Sequence, residues 1–472
     1  MTRGLQIDLH LEPASGGSRR AAVTRALREA VREGRLPPGS RLPPYRSLAA
    51  DLGIARNTVA EAYAELVAEG WLTARQGSGT RVSPLVTPPV APARPRAAGG
   101  AAPDLPYDLV QGKPDPATFP RTAWAAAARR ALSAAPHEAF GPGDPQGSAL
   151  LREALVPYLA RVRGVRTTPE RIVVCSGTAH ALRLLARVIG GTWAVEEYGL
   201  PFHRGLLAEG GVRTVPLPVD ADGAVVGGVR GRAVLLTPAH QFPTGGPLHH
   251  ERRAAVAERA RSGGPLVLED DYDAEFRYDR KPVGAVQGLA PDGVVLMGSV
   301  SKSLSTALRL GWMVLPEPLV GEVVAAKGVR EQYSSVIDQL TLAELLTGGG
   351  YDRHVRRMRQ RYRTRRDRLA EVLAQRVPEV RVTGIAAGLH AVVDLPPGAE
   401  APALAAAGRH GVAVEGLSAY RHPKSTAAHR DGLVVGYAAA PERRYGPALD
   451  ALCAALREAL DARGNGSDRS GS

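Results

Sequence analysis

The first eighty residues repeat apolar positions with the period of short amphipathic helices. Residues 18–33, SRRAAVTRALREAVRE, place alanine, valine and leucine at helical spacing and are followed by Gly34. LPPYRSLAADLG predicts a second, shorter helix, and IARNTVAEAYAELVAEG predicts a third, each ending in a glycine. WLTARQGSGTRV predicts two short strands around a Gly-Ser-Gly turn. Three helices followed by a hairpin are typical of a winged helix-turn-helix.

The pattern changes after residue 83. Residues 84–106 are rich in Pro, Ala and Gly without periodicity, which predicts a linker. Beyond them, helical segments alternate with runs of the buried-strand type, which are RIVVCSG (171–177), RAVLLTP (232–238), PLVLEDDY (265–272), GVVLMGS (293–299) and LGWMVLP (310–316). This alternation predicts an α/β fold with a mostly parallel, doubly wound sheet that binds ligands at the carboxyl ends of its strands.

A smaller subdomain is expected at the end of the chain. GLHAVVDL, GVAVEGL and GLVVGYA predict strands of an α+β subdomain from about residue 380. We therefore expect a helix-turn-helix domain over 1–83, a linker over 84–106, a large domain over 107–463 and a disordered tail over 464–472.

Composition narrows the function classes only partly. With 472 residues the chain is too long for one core, and its apolar content of 44% is that of a globular protein. No apolar run is long enough for a membrane span or a signal peptide, and two cysteines cannot form a disulfide framework, so a cytoplasmic protein without membrane contact is expected. The net charge of +13 favours a polyanionic partner, but a general preference for arginine would give the same value.

The third predicted helix carries candidate base contacts. Arg56, Asn57 and Thr58 open it, at the end that a recognition helix points into the major groove, and Arg and Asn make bidentate contacts with base edges. Arg46 lies at the start of the preceding helix, where phosphate contacts are favourable. The hairpin offers Arg75, Gly77, Ser78, Gly79 and Thr80 to the DNA backbone or minor groove. Any one of these arginines is as readily a solvated surface residue, and only the order of the elements favours DNA.

These residues carry a resemblance to a known family. GRLPPGSRLPPYRSLAADLGIARNTVAEAYAELVAEGWLTARQGSGTRV resembles the DNA-binding domain of the GntR family, over roughly residues 20–82. The resemblance implies that Arg46, Arg56, Asn57, Thr58 and the hairpin glycines contact double-stranded operator DNA. Tyr45 departs from the family pattern, in which a small hydroxyl residue is common.

Lysine is rare in this chain, which makes Lys302 a candidate for chemistry. The 60 basic residues include only five lysines, so positive charge is otherwise supplied by arginine. An amine can lose its proton and attack a carbonyl, whereas a guanidinium cannot. In GSVSKSLSTALRLGW, Ser299, Ser301 and Arg309 surround Lys302 with groups that bind phosphate. An isolated lysine is otherwise most often a surface residue.

Other candidate residues lie at separate strand ends. In SGTAHAL, Gly177 and Thr178 open a helix whose first N–H groups suit an anion. In LEDDYDAEF, Asp270 and Tyr272 share one face of a strand end, where a carboxylate and a phenol could hold a pyridine ring. Asp271 is an alternative for the same role, and adjacent acids are by default solvated or capping residues. TPAHQFPTG places His240 and Gln241 near the same ring, although a histidine there is more often structural.

The order of these motifs resembles that of fold-type I, aspartate aminotransferase-like enzymes that use pyridoxal phosphate. Fused behind a GntR domain, they resemble the MocR subfamily of transcriptional regulators over nearly the whole chain. The resemblance implies Lys302 as the Schiff-base lysine, Asp270 at the pyridine nitrogen and Tyr272 at the 3-hydroxyl. The implied phosphate ligands are Gly177, Thr178, Ser299, Ser301 and Arg309. It also implies a homodimer, in which each head can pack head-to-tail on the partner's large domain. We expect no metal site.

Several positions depart from that pattern. In EEYGLP, Leu200 replaces an aromatic residue that stacks on the cofactor ring, unless Tyr198 or Phe202 substitutes for it. Pro142 replaces a tyrosine near the phosphate. Val434 replaces the arginine that binds the substrate α-carboxylate in aminotransferases, and Arg421 or Arg430 would have to compensate.

These departures set the functional expectation. We expect a transcriptional regulator that senses pyridoxal phosphate or a small effector amine through Lys302. Because Val434 replaces the carboxylate-binding arginine, we expect it not to act as an enzyme beyond a residual half-reaction. Two alternatives stay open, a working aminotransferase with a DNA-binding head and a DNA-binding protein with a vestigial dimerisation domain. The basic stretch 353–368 suggests a second DNA site, but its interleaved apolar residues favour a structural helix.

Overall fold

Two structural units make up the chain, and their boundary falls between Pro103 and Asp104. The computed structural model describes residues 18–75, 78–85, 105–278, 283–328 and 334–467. Most of the predicted linker therefore lies outside the described residues, as do Gly77 and the last five residues. No helix within the described ranges is both long enough and apolar enough to span a membrane.

The N-terminal unit contains the predicted helices and hairpin around a core of its own. Its elements are α1 (Arg19–Arg32), α2 (Tyr45–Asp51), α3 (Arg56–Ala68), β1 (Leu72–Arg75) and β2 (Gly79–Val82). α1 begins where the Ser18 side chain accepts a hydrogen bond from the Ala21 N–H. Leu27, Val59 and Leu66 are buried where the three helices meet, and β1 and β2 pair antiparallel beside them. The apolar spacing thus fixes α3 on the core and leaves its first turn at the surface.

The C-terminal unit alternates strands and helices. Its helices are α4 (Arg121–Ala134), α5 (Ala149–Arg163), α6 (Thr178–Ile189), α7 (Pro201–Glu209), α8 (His250–Arg261), α9 (Glu317–Lys327), α10 (Val336–Thr347), α11 (Gly350–Arg376), α12 (Glu400–Arg409) and α13 (Glu442–Ser467). Its strands are β3 (Tyr107–Asp108), β4 (Ile172–Cys175), β5 (Thr192–Glu196), β6 (Arg213–Leu217), β7 (Val219–Asp220), β8 (Gly223–Ala224), β9 (Ala233–Leu236), β10 (Leu266–Asp270), β11 (Val294–Ser299), β12 (Gly311–Val314), β13 (Arg381–Thr383), β14 (His390–Asp394), β15 (Val412–Ala413), β16 (Glu415–Gly416) and β17 (Gly432–Gly436). α13 continues to Ser467, past the predicted start of the tail at Gly464.

The central sheet is mixed, with one strand that opposes its neighbours. Its order is β4-β12-β11-β10-β9-β5-β6, and β12 runs antiparallel to both β4 and β11, whereas the other pairs are parallel. The direction of β12 places Arg309, which precedes it, at the edge where β4, β10 and β11 end. A mostly parallel sheet was expected, and the reversal of β12 is what brings its leading loop to the ligand-binding edge.

The small subdomain has its own antiparallel sheet, and α12 packs against the strands β16 and β17 of that sheet. The strand order is β13-β14-β17-β16, with Val392 of β14 opposite Val434 of β17. Both valines are fully buried. Position 434 is therefore part of an apolar layer.

Candidate functional site

A cavity of about 220 Å³ lies at the carboxyl ends of the central strands. The predicted cofactor residues that line it are Thr178, Asp270, Tyr272, Ser299, Ser301, Lys302 and Arg309. Gly177 does not line the cavity but precedes Thr178 at the start of α6. Segments far apart in sequence thus meet at one place, as the strand topology requires.

Lys302 reaches into the cavity from the loop after β11. Its Nζ donates a hydrogen bond to the Gly112 carbonyl at 2.5 Å. Removal from water lowers the pKa of Lys302, and the carboxylates of Asp273 and Asp270 oppose that shift. The loop is held from behind, where Ser303 Oγ lies 2.6 Å from the Tyr351 hydroxyl. A lower pKa leaves a larger fraction of the amine neutral, which is the nucleophilic form.

Asp270 and Asp271 are neighbours with opposite environments. Asp270 is buried at the end of β10, and its Oδ1 has no hydrogen-bond partner among the described residues. Burial, followed by the negative charge of Asp271, raises the pKa of Asp270 to about 7. Asp271 accepts two hydrogen bonds of 2.8 Å from Arg163 instead. Asp271 does not line the cavity and its carboxylate is engaged in a buried ion pair, so Asp270 remains the candidate for the ring nitrogen.

The predicted phosphate ligands surround a common space. Gly177 has a φ of 99°, which favours glycine, and α6 begins immediately after it. A Cβ at Gly177 would lie 3.7 Å from Arg309 Nη2 and 4.0 Å from Ser301 Oγ. Arg309 itself adopts the left-handed conformation and makes no hydrogen bond or ion pair with a described residue. A guanidinium, the hydroxyls of Thr178, Ser299 and Ser301, and a helix N-terminus fit a phosphate group.

Tyr272 is held from the side away from the cavity. Its hydroxyl lies 2.9 Å from His240 Nδ1, which in turn lies 2.9 Å from Asp273 Oδ2. His240 and Gln241 do not line the cavity, contrary to the expectation that both approach the ring. Gln241 holds the turn instead, since its amide donates to the carbonyls of Tyr198 and Phe242.

The cavity wall includes residues that the sequence motifs did not indicate. These are Gln111, Glu196, His203, Arg204, Phe242 and His390. Glu196 accepts hydrogen bonds from Thr237, and burial raises its pKa to about 7. Burial and the nearby Lys302 lower the pKa of His203 to about 4. A carboxylate ending a buried strand, as Glu196 does after TWAV, is the one signal that could have been used.

The departures from the family pattern can now be placed. Tyr198 and Leu200 both line the cavity, but the side chain of Phe202 is 59% exposed and does not. Pro142 is exposed and away from the cavity. Phe202 therefore cannot supply the missing aromatic residue.

Neither Arg421 nor Arg430 takes the place of the arginine missing at position 434. Arg421 donates to the carbonyls of Ser425 and Ala427, and the exposed Arg430 pairs with Asp394. Neither lines the cavity. The compensation considered for these two arginines is not present in this structure, because both side chains have other partners.

The candidate DNA contacts of the N-terminal unit are at the surface. Arg46, Arg56 and Asn57 are exposed, and Thr58 is half-buried. On the hairpin, Arg75, Ser78 and Gly79 are exposed, Thr80 is half-buried and Gly77 lies outside the described residues. Gly79 has a φ of 81° and packs against the Arg41 side chain.

Tyr45 contacts Arg56, the first residue of α3. Arg56 Nη2 donates to the Tyr45 hydroxyl at 3.2 Å, and the guanidinium carbon lies 5.0 Å from the ring centroid. The hydrogen bond and charge of Arg56 lower the pKa of Tyr45. The residue that departs from the family pattern thus positions a candidate base contact.

Two further candidates have mainly structural roles. On α11, Val355, Met358 and Tyr362 are buried, while Arg361 and Arg365 pair with Glu442, as expected for a structural helix. Glu400, His429 and Asp431 bring possible metal ligands within 4.8 Å of one another. Both carboxylates already accept backbone N–H groups, from Gly432 to Glu400 and from Gly398 to Asp431.

Two family profiles match the chain in succession. Residues 19–82 match the family described as bacterial regulatory proteins, gntR family. Residues 108–452 match aminotransferase class I and II. The two matches correspond to the two structural units.

Curated relatives match most of the chain. The chain is 33% identical to the HTH-type pyridoxine biosynthesis transcriptional regulator PdxR of Corynebacterium glutamicum, over 82% of this chain and 85% of that protein. It is 34% identical to the probable rhizopine catabolism regulatory protein MocR of Rhizobium meliloti, over 72% and 74%. Among solved structures it is similar to the kynurenine aminotransferase of Pyrococcus horikoshii, with 25% identity and a TM-score of 0.68 over 76% of this chain and 92% of that one.

Proposed function

The chain belongs to the MocR subfamily of GntR-family transcriptional regulators and is a DNA-binding regulator, and we propose that it senses pyridoxal phosphate, or an amine that reacts with it, through Lys302. One observation carries this proposal. The buried Asp270 carboxylate, whose Oδ1 has no partner among the described residues, lies in the same cavity as the Lys302 amine and the candidate phosphate ligands around Arg309. When bound, pyridoxal phosphate supplies an aldehyde that condenses with amines and a pyridine ring that withdraws electrons.

Each residue of the cavity would have a separate task. Lys302 would hold the ligand covalently, and its lowered pKa supports this because a neutral amine is required. Asp270 would hold a proton on the ring nitrogen and thereby gain the hydrogen bond it lacks. Gly177, Thr178, Ser299, Ser301 and Arg309 would bind the phosphate. Tyr272 would donate to the phenolic oxygen of the ring.

The apolar environment of Val434 favours sensing over turnover. Val434 packs with Tyr198, Phe242 and Val392, so this position itself offers no cation to an α-carboxylate. We expect the effector to be the cofactor itself or an amine without an α-carboxylate. The name of the relative from Corynebacterium, a regulator of pyridoxine biosynthesis, is consistent with this choice.

Regulation would follow from a shift between two states with different operator affinity. A ligand can shift such an equilibrium only as far as it binds one state more tightly than the other.

We propose that the regulator acts as a homodimer. Exposed apolar side chains on and beside α4, α5 and α10 support a self-interface, namely Leu132, Phe140, Leu150 and Ile337. Sedimentation analysis tests this, and a monomer at micromolar concentration would contradict it.

The deciding experiment measures the cofactor and the DNA together. Pyridoxal phosphate is titrated into wild type, Lys302→Ala and Lys302→Arg while the visible band of the bound cofactor and binding to DNA upstream of the protein's own gene are recorded. Wild type should develop the band and change its DNA affinity, and both variants should do neither. Lys424→Ala, which removes an exposed lysine, serves as the matched control.

The alternatives predict other outcomes. An absent band in wild type would indicate a vestigial domain and overturn the proposal. Sustained conversion of an amino donor and a keto acid would indicate a working aminotransferase. Identical DNA binding by wild type and Lys302→Ala, with and without cofactor, would show that the cofactor is not the signal.

A further inference from the structure

His240 and Asp273 form a buried pair directly behind Tyr272. Both side chains are almost completely buried, and neither lines the cavity. His240 Nδ1 lies 2.9 Å from Asp273 Oδ2 and 2.9 Å from the Tyr272 hydroxyl, so one nitrogen serves both neighbours. The family motifs assign a role to Tyr272 but none to this pair.

The surrounding residues leave the pair no room to rearrange. Gly388, just before β14, has a φ of 74°, and a Cβ there would lie 2.5 Å from Asp273 Oδ2 and against the His240 ring. The rings of His390 and Tyr272 flank His240, with centroid separations of 5.3 and 6.1 Å. The geometry of the contact is therefore fixed by packing from both subdomains.

The chemistry of the pair decides which atom carries the proton. An ionised carboxylate can only accept hydrogen bonds, so Nδ1 of His240 must be the protonated nitrogen. The same N–H then points towards the Tyr272 oxygen, which accepts it. The hydroxyl proton of Tyr272 is not used by His240, but the hydroxyl is also hydrogen-bonded to the Asp273 carboxylate. Because the His240 N–H competes for that carboxylate, the Tyr272 proton can turn to an anionic oxygen in the cavity.

We propose that His240 and Asp273 are positioning residues that keep Tyr272 a hydrogen-bond donor towards the cavity. This rests on the proposed function, because the acceptor is the phenolic oxygen of bound pyridoxal phosphate. A donor at that oxygen stabilises its ionised form and lowers its pKa. None of the other titratable groups that face Tyr272 or line the cavity changes in the variants below; these are Glu196, Tyr198, His203, Arg204, Asp270, Lys302, Arg309 and His390.

The test is a pH titration of the visible spectrum of the bound cofactor. In His240→Leu, the Asp273 carboxylate loses its competing donor and retains the Tyr272 proton, so the pKa of the bound cofactor should rise by about one pH unit. In His240→Asn, the amide N–H replaces Nδ1–H, so the titration should stay close to that of wild type. Tyr272→Phe should raise the pKa at least as far as His240→Leu does. Tyr272→Phe combined with His240→Leu should then raise it no further.

The outcomes separate this inference from the proposed function. A missing band in wild type defeats the proposed function, whereas a normal band with an unshifted titration in His240→Leu defeats only the inference. A shift that adds fully to that of Tyr272→Phe would also overturn it, because His240 would then act independently of Tyr272. If His240→Leu does not fold, nitrogen-15 NMR of histidine-labelled wild type, assigned with His240→Asn, provides the test. An unprotonated Nδ1 on His240 would overturn the inference.

Discussion

The DNA-binding face and the cavity present their candidate functional side chains in opposite ways. On the N-terminal unit, Arg46, Arg56 and Asn57 are exposed and held by few contacts. In the cavity, Asp270 and Tyr272 end a buried strand and are fixed by packing before any ligand arrives. A site of the first kind loses side-chain entropy when it binds, and a site of the second kind is preorganised. Substitutions should therefore change affinity alone in the first and folding stability as well in the second.

The largest effect is expected from substitutions of the two adjacent acids, Asp270 and Asp271. Asp271→Asn breaks a buried ion pair and leaves Arg163 without its carboxylate, so it should lower the free energy of unfolding by about 3–5 kcal/mol. Asp270→Asn removes a carboxylate that has no partner at Oδ1 and should cost little or stabilise the cofactor-free protein. Thermal and urea unfolding of both variants measure the contrast. Equal losses would show that Asp270 is not an unsatisfied site kept for a ligand.

The raised pKa of Asp270 predicts a pH dependence of stability. The pKa of Asp270 in the folded state, about 7, lies above its usual 3.8, so the folded state holds this proton more tightly than the unfolded chain does. The corresponding stability is complete below pH 3.8 and is lost as the pH rises towards 7, by up to about 1.4 kcal/mol per pH unit.

Asp270→Asn should remove that part of the slope in cofactor-free protein. Glu196 and Glu275, whose pKa values are also raised to about 7, will keep the rest. Unfolding temperatures measured from pH 4 to pH 8 in both proteins give the comparison. A slope that Asp270→Asn leaves unchanged would place the titration elsewhere.

The N-terminal unit can be predicted from the sequence more fully than the cavity, because its elements follow from local patterns whereas the cavity depends on contacts between distant segments. In the N-terminal unit every element follows from local periodicity, and α1, α2 and α3 lie within the predicted segments. The central strands β4, β9, β10 and β11 are likewise found inside the apolar runs. The direction of β12 could not be predicted, because an antiparallel strand buried on both faces has the same apolar run as a parallel one.

Only part of the cavity wall can be predicted from local sequence motifs. Lys302 and Asp270 lie in sequence motifs that indicate their role. His203, Phe242 and His390 are brought to the cavity only by tertiary packing. His240 was expected at the ring because of its place in the turn, but it acts from behind Tyr272. Which neighbour a buried histidine meets depends on segments more than thirty residues away, and no single stretch of sequence carries that information.

On the DNA-binding face, the larger effect is expected from Arg56. Arg56→Ala should weaken operator binding by about 1–3 kcal/mol and relax the preference at one base pair, if the side chain contacts a base edge. Arg46→Ala should instead weaken all sequences similarly and reduce the salt dependence, as expected for a phosphate contact. Fluorescence anisotropy at several salt concentrations distinguishes them. Neither variant should change the unfolding temperature, and a clear decrease would contradict the separation between the two regions.

The smallest effect, from Tyr45, tests whether the exposed face is entirely without preorganisation. The ring and hydroxyl of Tyr45 hold the Arg56 guanidinium before DNA binds. Tyr45→Phe keeps the stacking and should weaken operator binding little, whereas Tyr45→Ser removes both contacts and should weaken it about two- to fivefold. In an Arg56→Ala background the Tyr45→Ser change should have no further effect, because the side chain it positions is gone. If Tyr45→Ser binds the operator as well as wild type, the contact with Tyr45 does not contribute to operator affinity. The Arg56 side chain would then be ordered only by DNA binding.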